Sequence, residues 1–562
     1  MKNTKHFPKY FLAITYFGLS IQSSFGADVA PTAGGLLQQV PQTRPNLPSN
    51  NAPVLPSNSA SKVAEEDKKT FLVSRFVIEG NTSFSTAELH ALVADKEGQM
   101  LGVNGLNAVA QRISDHYKRH GFFLTRAIVP AQKIVNDTVR IQVVEARLGS
   151  VKLNNTSDVQ DSVIVDILNG ALPSGEQLNR AAFERSLLLV RDLPNLAVEP
   201  TIIPGATTGQ SDVELSTINL NEAVAKQVGM DNGGNAYTGR YRANASLIWF
   251  NPLKSGDVLS LRAMSSGADM KYAGASYETA LGVQGSRAGI STSAVNYTLA
   301  GPVQSLGAHG TARVHSLWLK HPMKRSVNDS IYVQLQGDHT TLNDMVDTAG
   351  TSNKRHLNAW ALLTNGEHTR GYDLTTWRIG VNTGQLAFDN PVAQASDLNA
   401  ANTQGSFRKM NLGLTHTMNL SNQTELYARA NGLWSNKNLD ASQKLIVGGP
   451  NSVRAYDVGA LAGDKGIETS LEWRSVLTDL GNGSLQGKVF FDYAKLTINA
   501  SPWAGLSTTN SAYIAGAGLG VVWTSSQNST VKLSLAKPVG TVPSSITSSS
   551  RLRTWIELGL PF

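Results

Sequence analysis

The stretch Lys409-Met-Asn-Leu-Gly-Leu-Thr415 alternates polar and apolar side chains, and the alternation continues to Met418 and Leu420. Successive side chains of a β-strand point to opposite faces, so one face of this predicted strand is apolar and the other is polar. Residues 241–249 and 425–430 follow the same rule, with arginines and a glutamate on the polar face. An apolar sandwich core would not tolerate these charges unpaired, so the pattern predicts strands that enclose a wet interior.

Alternating segments of this kind, separated by turn residues, run from about residue 221 to residue 562. Segments of about ten alternating residues are the expected signature of a transmembrane β-barrel. At ~21 residues for each strand and its turn, the region holds roughly sixteen antiparallel strands, enough to enclose an aqueous lumen. One or two soluble β-sandwiches are the alternative.

The chain ends in Thr554-Trp-Ile-Glu-Leu-Gly-Leu-Pro-Phe562, in which Ile556, Leu558, Leu560 and Phe562 share one face. A terminal aromatic residue in this register resembles the C-terminal signal of outer-membrane barrels, which a soluble β-sandwich would not need. Pro561 has no backbone N–H, so it must lie where the strand needs no donor.

The composition excludes several classes of function. The chain of 562 residues has no cysteine, which excludes disulfide frameworks, thiol catalysis and cysteine-ligated metals. Its formal net charge of +7 includes Lys2, Lys5 and Lys9 and is too slight to indicate nucleic-acid binding. The 11 histidines form no ligand-spaced cluster, and neither Gly-x-Ser-x-Gly nor His-Glu-x-x-His occurs. We therefore predict a protein that is not an enzyme and uses no metal or cofactor.

The N-terminus has the layout of a secretory signal peptide, predicted at residues 1–26. Three lysines precede an apolar run at residues 10–19, and Ser24-Phe-Gly26 supplies small residues for a cleavage site. The apolar run is too short to serve as a permanent anchor, because a spanning helix needs ~20 residues. No later stretch is apolar for long enough to predict a transmembrane helix.

Residues 27–70 form a low-complexity segment with six prolines at positions 31, 41, 45, 48, 53 and 56. Residues 43–70 are predicted to be an extended proline-rich linker. In the preceding region, 27–42, residues 32–40 favour a short helix that ends before Pro41. Such a short helix is unstable alone, so it either docks on a surface or stays unstructured.

Two small α+β domains are predicted between the linker and the barrel, at residues 71–146 and 147–220. The first has strands at 71–78, 122–129 and 138–145, a helix begun by the capping box of Ser85 and Glu88, and a helix at 103–119. The second repeats this order, and neither carries an evident catalytic group. Generic modules are one interpretation; polypeptide-binding modules whose sheet edges pair with an extended chain are the other.

Three stretches, in the same order along the chain, resemble one family. Residues 121–130, followed by Val143-Val-Glu145, look like a first POTRA domain. Residues 231–241 with Asn251-Pro-Leu253 look like the first barrel hairpin, and Val453-Arg-Ala-Tyr456 looks like the tip motif of the sixth extracellular loop. The sequence is therefore similar to the outer-membrane transporters of two-partner secretion, the TpsB branch of the Omp85 superfamily.

The resemblance implies that loop six, at about residues 445–466, folds back into the barrel. Its motif is Val453, Arg454, Ala455 and Tyr456, and the arginine meets an aspartate of a Phe-x-Asp motif, supplied here by Phe490 and Asp492. An arginine fork and a carboxylate can form two charge-assisted hydrogen bonds. Ala455 replaces the glycine of the family motif; it is strained if the backbone angle φ is positive, and otherwise it adds one methyl group.

The resemblance also assigns Leu36, Leu37, Gln38 and Gln39 to a helix that plugs the barrel and leaves it during secretion. It implies that the POTRA domains lie in the periplasm, bind an unfolded exported partner and pass it through the barrel without ATP. The partner is a large TpsA-type adhesin, haemolysin or contact-dependent toxin. Outer-membrane lipids, periplasmic chaperones and the barrel-assembly machinery are further expected partners. A barrel-assembly insertase and a passive porin are the alternative functions.

Overall fold

The computed structural model describes residues 31–40, 69–504, 506, 509–544, 546 and 552–562. The predicted signal peptide at 1–26, and the linker apart from residues 69 and 70, lie outside these residues. The described N-terminal segment contains one helix, α1 (Ala33–Leu37), which is shorter than the predicted 32–40. Gln38 caps its C-terminus, so Gln38 and Gln39 lie in the turn that follows.

The first α+β domain follows residue 69. Its elements are β1 (Phe71–Val73), β2 (Arg75–Glu79), α2 (Thr86–Ala91), a 3₁₀ turn (Ala94–Lys96), β3 (Gln99–Leu101), α3 (Val103–Arg119), β4 (Arg126–Ile128) and β5 (Thr138–Val144). The sheet order is β2-β5-β4, with β1 and β3 paired separately. The Ser85 side chain accepts a hydrogen bond from the Glu88 amide, 3.2 Å away, and caps α2.

The predicted strand at 122–129 is wrong in its first half, because Phe122 and Phe123 pack in different places. Phe122 packs against the core of the first domain, whereas Phe123 packs against the second domain, with its ring 6.2 Å from that of Phe183. The backbone turns between them instead of extending, and only Arg126–Ile128 pairs with β5.

The second α+β domain repeats the architecture of the first. Its elements are β6 (Arg147–Asn155), α4 (Asp161–Ala171), α5 (Arg180–Arg191), β7 (Leu196–Pro204) and β8 (Gln210–Asn219), with sheet order β6-β8-β7. Apolar residues of α4, α5 and the sheet form its core. Among the described residues, no helix has the length and apolar character needed to cross a membrane.

Sixteen antiparallel strands form a closed barrel, as the sequence predicts. The barrel strands are β9 (Val224–Asp231), β10 (Arg242–Phe250), β11 (Val258–Ser265), β12 (Met270–Leu281), β13 (Ser286–Thr298), β14 (Ala308–Arg325), β15 (Asp329–Val346), β16 (Thr351–Arg370), β17 (Asp373–Phe388), β18 (Gly405–Asn419), β19 (Thr424–Ser435), β22 (Lys465–Leu480), β23 (Gly483–Thr497), β24 (Ser511–Ser525), β25 (Thr530–Pro538) and β26 (Arg553–Pro561). The connections contain α6 (Pro391–Leu398), β20 (Leu445–Val447), β21 (Leu461–Gly463) and 3₁₀ turns at Gly301–Leu306 and Asp347–Ala349.

The barrel closes where β26 pairs with β9, and the last residues of the chain lie at this seam. Ile556, Leu558, Leu560 and Phe562 are all exposed on the outer face. Pro561 lies within the paired strand, opposite Gln227, and the Phe562 amide donates to the Lys226 carbonyl over 3.2 Å.

The second α+β domain docks on one end of the barrel, which we call the docking end. Arg325 at the end of β14 binds Asp192 through both Nε and Nη2, at 2.9 and 2.8 Å. The Tyr332 hydroxyl donates to the same carboxylate over 2.8 Å. The Gln160 amide donates to the Lys254 carbonyl, which fixes α4 against a barrel turn. The opposite end of the barrel is called the far end below.

Candidate functional site

The connection between β19 and β22, residues 436–464, folds into the lumen from the far end. It is longer than the predicted 445–466 on its N-terminal side, and Lys465 already belongs to β22. Its two short strands, β20 and β21, form an inner hairpin. Gly448 and Gly449 both have φ of +103°, a conformation that side-chain-bearing residues rarely adopt, so glycine is needed where the loop turns.

The tip of this loop is buried, and Arg454 is its most connected residue. Its Nε donates to Asp492 Oδ2 over 2.8 Å and its Nη2 to Asp492 Oδ1 over 2.7 Å, while its backbone amide also donates to Oδ2. The guanidinium lies 3.4 Å from the centre of the Phe490 ring. Asp492 is fully buried and Arg454 is 4% exposed, so the structure brings the two predicted partners together in a buried site.

The other residues of the tip motif pack around this pair. Val453, Ala455 and Tyr456 are buried in one apolar cluster with Phe490. Ala455 is not among the residues with positive φ, so alanine adds no backbone strain here. Its methyl group lies against Gly516, where an added Cβ would come within 2.4 Å of it. The space for the Ala455 methyl group is therefore provided by a glycine on β24.

Several partners of the loop were missed by sequence reasoning. Arg454 also donates to Glu472 and, over 3.0 Å, to Ser470, and Trp555 donates to the Arg454 carbonyl over 2.7 Å. Ser470 and Glu472 lie on the polar face of β22, where Glu468, Ser470, Glu472 and Arg474 alternate with apolar residues. That alternation was the available signal; it shows that these residues face the lumen but not which residue they meet.

A second charged contact holds the loop just after its tip. Asp457 binds Arg553 of β26 at 2.7 Å and also accepts hydrogen bonds from Arg240. Arg240 belongs to the connection between β9 and β10, so Asp457 joins the loop to both sides of the barrel seam.

The helix α1 lies inside the barrel, against the wall formed by β13, β14 and β15. Ala33 and Leu36 are fully buried, and Leu37 and Val40 nearly so, in an apolar cluster that includes Tyr297 and Leu342. Thr32 caps the helix by accepting a hydrogen bond from the Gly35 amide. Because the helix has only five residues, packing rather than intrinsic propensity stabilises it.

The two glutamines that follow α1 bind through different atoms. Gln38 donates through Nε2 to the Ser442 carbonyl over 2.6 Å. The Gln39 carbonyl accepts from Arg242 over 3.1 Å, whereas its side-chain Oε1 is buried without a hydrogen-bond partner in the described structure.

Arg355 of β16 connects the plug segment to the loop. It donates to Asp344 Oδ2 over 2.7 Å and to Asp440 Oδ2 over 2.6 Å. Asp344 accepts the Ala33 amide of α1 over 2.7 Å, and Asp440 belongs to the loop between β19 and β22. One buried arginine therefore bridges the carboxylate that holds α1 and a carboxylate of the loop.

The junction between the two α+β domains has its own buried charge. Glu145 accepts hydrogen bonds from the Thr82 and Ser83 amides, at 2.7 and 2.8 Å, and from the Tyr117 hydroxyl at 2.8 Å. Burial alone would raise the pKa of Glu145, but these donors and the Thr82 hydroxyl outweigh it and lower the pKa to about 2. Gln177 of the second domain also donates to Glu145 and ties the two domains together.

The lumen is thus filled with hydrogen-bonded and ion-paired groups that position backbone segments. In the described ranges, no group of three or more His, Asp or Glu side chains could hold a metal ion. The arrangement holds two separate elements, α1 and the inward-folded loop, inside one pore.

Comparisons with known proteins identify the family. The model of the haemolysin secretion/activation protein family ShlB/FhaC/HecB matches residues 209–522, and the ShlB-type POTRA domain model matches residues 71–146. Heme/hemopexin transporter protein HuxB of Haemophilus influenzae is 26% identical over 482 residues, covering 85% of this chain and 84% of HuxB. Outer membrane transporter CdiB of Escherichia coli is 26% identical over 502 residues, covering 84% of this chain and 83% of CdiB.

Solved structures agree in fold. CdiB from Escherichia coli superposes with a TM-score of 0.72 at 21% identity, covering 91% of this chain and 94% of that chain. CdiB from Acinetobacter baumannii superposes with a TM-score of 0.62 at 17% identity, covering 94% of this chain and 96% of that chain.

These findings confirm the predicted resemblance to TpsB transporters, the POTRA-and-barrel fold and the location in the bacterial outer membrane, with the POTRA domains in the periplasm. The docking end of the barrel is therefore periplasmic and the far end extracellular. The relatives are transporters of the two-partner secretion type. Because the family model covers more than half of the chain, the protein belongs to the haemolysin secretion/activation protein family ShlB/FhaC/HecB.

Proposed function

We propose that this protein secretes one large, unfolded TpsA-type partner through its barrel and does not act as an enzyme. The proposal rests on one observation: α1 and the inward-folded loop fill the pore, and only non-covalent contacts hold them there. Arg355 connects the two elements. A passive porin needs neither a connected plug nor periplasmic domains. A transporter needs both. The plug keeps the pore closed until a substrate arrives, and the periplasmic domains bind that substrate.

The partner would bind the periplasmic domains as an added β-strand. In the first domain each outer strand of the sheet has a backbone amide that already donates to a side chain. The Phe76 amide donates to Glu97 over 2.7 Å, and the Ala127 amide donates to Ser114 over 2.9 Å. In the second domain, β7 contains Pro200 and Pro204, which cannot donate to a ladder.

The best remaining edge is β6 of the second domain. Within the described chain, no side chain caps its backbone between Val151 and Asn154, and this stretch contains no proline. We therefore propose that an extended partner segment pairs first along β6, close to the periplasmic end of the barrel.

Passage would then require α1 to leave the lumen and the loop to move aside. The sequence contains no nucleotide-binding glycine loop. The family resemblance suggests that folding of the partner outside the cell supplies the direction of transport. The family resemblance makes adhesins, haemolysins and contact-dependent toxins the proposed classes of partner. The relatives are named a heme/hemopexin transporter protein and an outer membrane transporter. Periplasmic chaperones and the barrel-assembly machinery would deliver the unfolded partner and insert the barrel.

The test first identifies a candidate partner, namely any long exported protein whose reading frame neighbours that of this chain. Its appearance in the culture medium is compared in cells with the wild-type transporter, without it, and with residues 31–40 deleted. We expect secretion only when the transporter is present, and raised channel conductance in planar bilayers after the deletion. Undiminished secretion without the transporter would contradict the proposal. General loss of other outer-membrane barrels in cells lacking it would favour the insertase function instead.

A further inference from the structure

A groove of about 590 Å³ lies on the outer wall of the barrel, across β11 to β16. Its floor contains two small residues, Ala275 and Gly337. Gly337 leaves room for the neighbouring indole of Trp360, because an added Cβ would meet that ring at 3.0 Å. The sides of the groove are apolar and are formed by Leu259, Tyr277, Ile290, Leu317 and Trp360.

The groove is lined by polar side chains at its extracellular end. There a row of polar side chains crosses four adjacent strands in register: Thr292, His315, His339 and Asn358. Thr292 and His315 are hydrogen-bonded at 3.1 Å, and His339 and Asn358 at 2.7 Å. Both contacts use Nδ1 of the imidazole. His339 donates from Nδ1 to the Asn358 amide oxygen, whereas His315 Nδ1 can accept from the Thr292 hydroxyl and leave the proton on Nε2. Polar pairs on the outer face of a membrane barrel mark the end of its hydrocarbon zone.

Basic side chains lie immediately beyond this row. Arg313 is exposed on the same face of β14, two residues from His315, and Lys354 is exposed on β16. Between them His356 of β16 is hydrogen-bonded to Asp389 at 2.7 Å. Neighbouring strands are about 4.8 Å apart, so Arg313 and the three histidines occupy an area of roughly 10 Å across.

The strand carboxylates of this region face the other way. Asp338 accepts hydrogen bonds from Gln336, and Asp344 binds Arg355 and Tyr297, all inside the lumen. Two acidic groups lie at this end of the barrel: Asp389, in the connection after β17, and Asp347, which is 3.2 Å from His309 of β14. The outer face thus combines an apolar groove with a positively charged edge at the level of the outer-leaflet headgroups.

We propose that this groove binds a phosphate-bearing glycolipid of the outer leaflet, of the lipid A type. The acyl chains lie along Leu317, Ile290 and Trp360, over Ala275. A phosphate accepts hydrogen bonds from Arg313 and from Nε2 of His315, and Lys354 adds a second positive charge. Arginine suits this role because its planar fork matches the geometry of phosphate oxygens.

The test measures lipid binding to the full chain in detergent by native mass spectrometry. The probes are hexa-acylated lipid A with both phosphates, the same lipid without phosphates, and phosphatidylglycerol. We expect the wild type to bind phosphorylated lipid A about tenfold more tightly than either other lipid, which corresponds to one charge-assisted hydrogen bond. Equal binding of all three lipids would overturn the proposal.

Three variants separate the parts of the site. Arg313→Gln and His315→Gln should each remove most of the preference for phosphate, whereas Ala275→Phe should fill the groove and weaken both lipid A forms equally. The matched control is Lys495→Gln, which removes an exposed cation near the extracellular end of β23, on nearly the opposite side of the barrel. An Arg313→Gln variant that keeps the preference, or a control that loses it, would contradict the site. Secretion is not measured, so the result is independent of the proposed transport function.

Discussion

The tip of the inward-folded loop and the helix α1 both fill the lumen, but different forces hold them. The loop tip packs in an apolar cluster and is held in addition by charge. Arg454 alone donates to Asp492, Glu472 and Ser470, and all of these groups are buried. The helix is held mainly by apolar packing of Leu36 and its neighbours. Its hydrogen bonds are few and lie near its two ends, at Asp344, Ser442 and Arg242.

This difference indicates how readily each element can move. Breaking a buried ion pair leaves a charge buried without its partner. The full free-energy cost therefore arises as soon as the two groups separate. Withdrawing a short apolar helix loses packing in proportion to the area exposed, without leaving a buried charge behind on the helix. We therefore expect α1 to leave the pore more easily than the loop tip.

The largest effect is expected from Arg454→Ala. It leaves the buried Asp492 without its cation, while Glu472 keeps Arg474 at 2.7 Å. The loss should destabilise the folded-in loop by about 4 kcal/mol. The barrel should remain in the membrane, while partner secretion falls and protease cleavage within residues 436–464 rises. Arg429→Ala is the matched control, since it removes a lumen arginine paired with Glu468 on the adjacent strand. Normal secretion and an uncut loop in the Arg454 variant would refute the proposed role of charge.

Arg355→Gln tests whether the two elements are linked. Because Arg355 lies between Asp344 and Asp440, its loss should weaken both α1 and the loop, by about 3 kcal/mol in total. Channel openings in planar bilayers and protease cleavage of the loop should both increase. If openings increase but the loop stays resistant, the elements are held independently.

Leu36→Ala tests the apolar side of the comparison. The lost packing should cost about 2 kcal/mol, so the open fraction of single channels should rise about thirtyfold. Gln39→Ala is the control, because the buried Oε1 of Gln39 has no hydrogen-bond partner in the described structure and its carbonyl contact survives the substitution. A similar conductance change in both variants would mean that Leu36 packing does not hold the plug.

The smallest effect concerns Glu145, a buried charge outside the lumen. Its folded pKa of about 2 lies below the ordinary value of 4.5, so its stabilising contribution is complete above pH 4.5 and is lost as the pH falls toward 2. We expect the protection of the Thr82 and Ser83 amides from hydrogen exchange to be constant between pH 8 and pH 5 and to decline below pH 4.5. Glu145→Gln should abolish this dependence; an unchanged pH profile in that variant would assign the dependence to another group.

Much of the architecture was predictable because it depends on local pattern. The alternation around Lys409 and the apolar face of residues 556–562 predicted a barrel, and sixteen strands close it. Local pattern failed where long-range packing competes with it, as at Phe122 and Phe123, whose rings enter different domains and interrupt a predicted strand. The helix α1 is likewise shorter than its sequence suggests, because Gln38 turns to reach Ser442.

The sequence by itself determined which side chains face the lumen, since strand periodicity assigns each residue to a face, and family resemblance named Arg454 and Asp492 as partners. Only the tertiary structure decided that Glu472 and Ser470 join that pair, because strand register places Ser470 opposite Asp492. It alone connected α1 to the loop through Arg355, whose partners lie 11 and 85 residues away along the chain. The physical reason is that barrel closure and loop folding determine which lumen-facing groups meet, and neither is encoded in a local pattern.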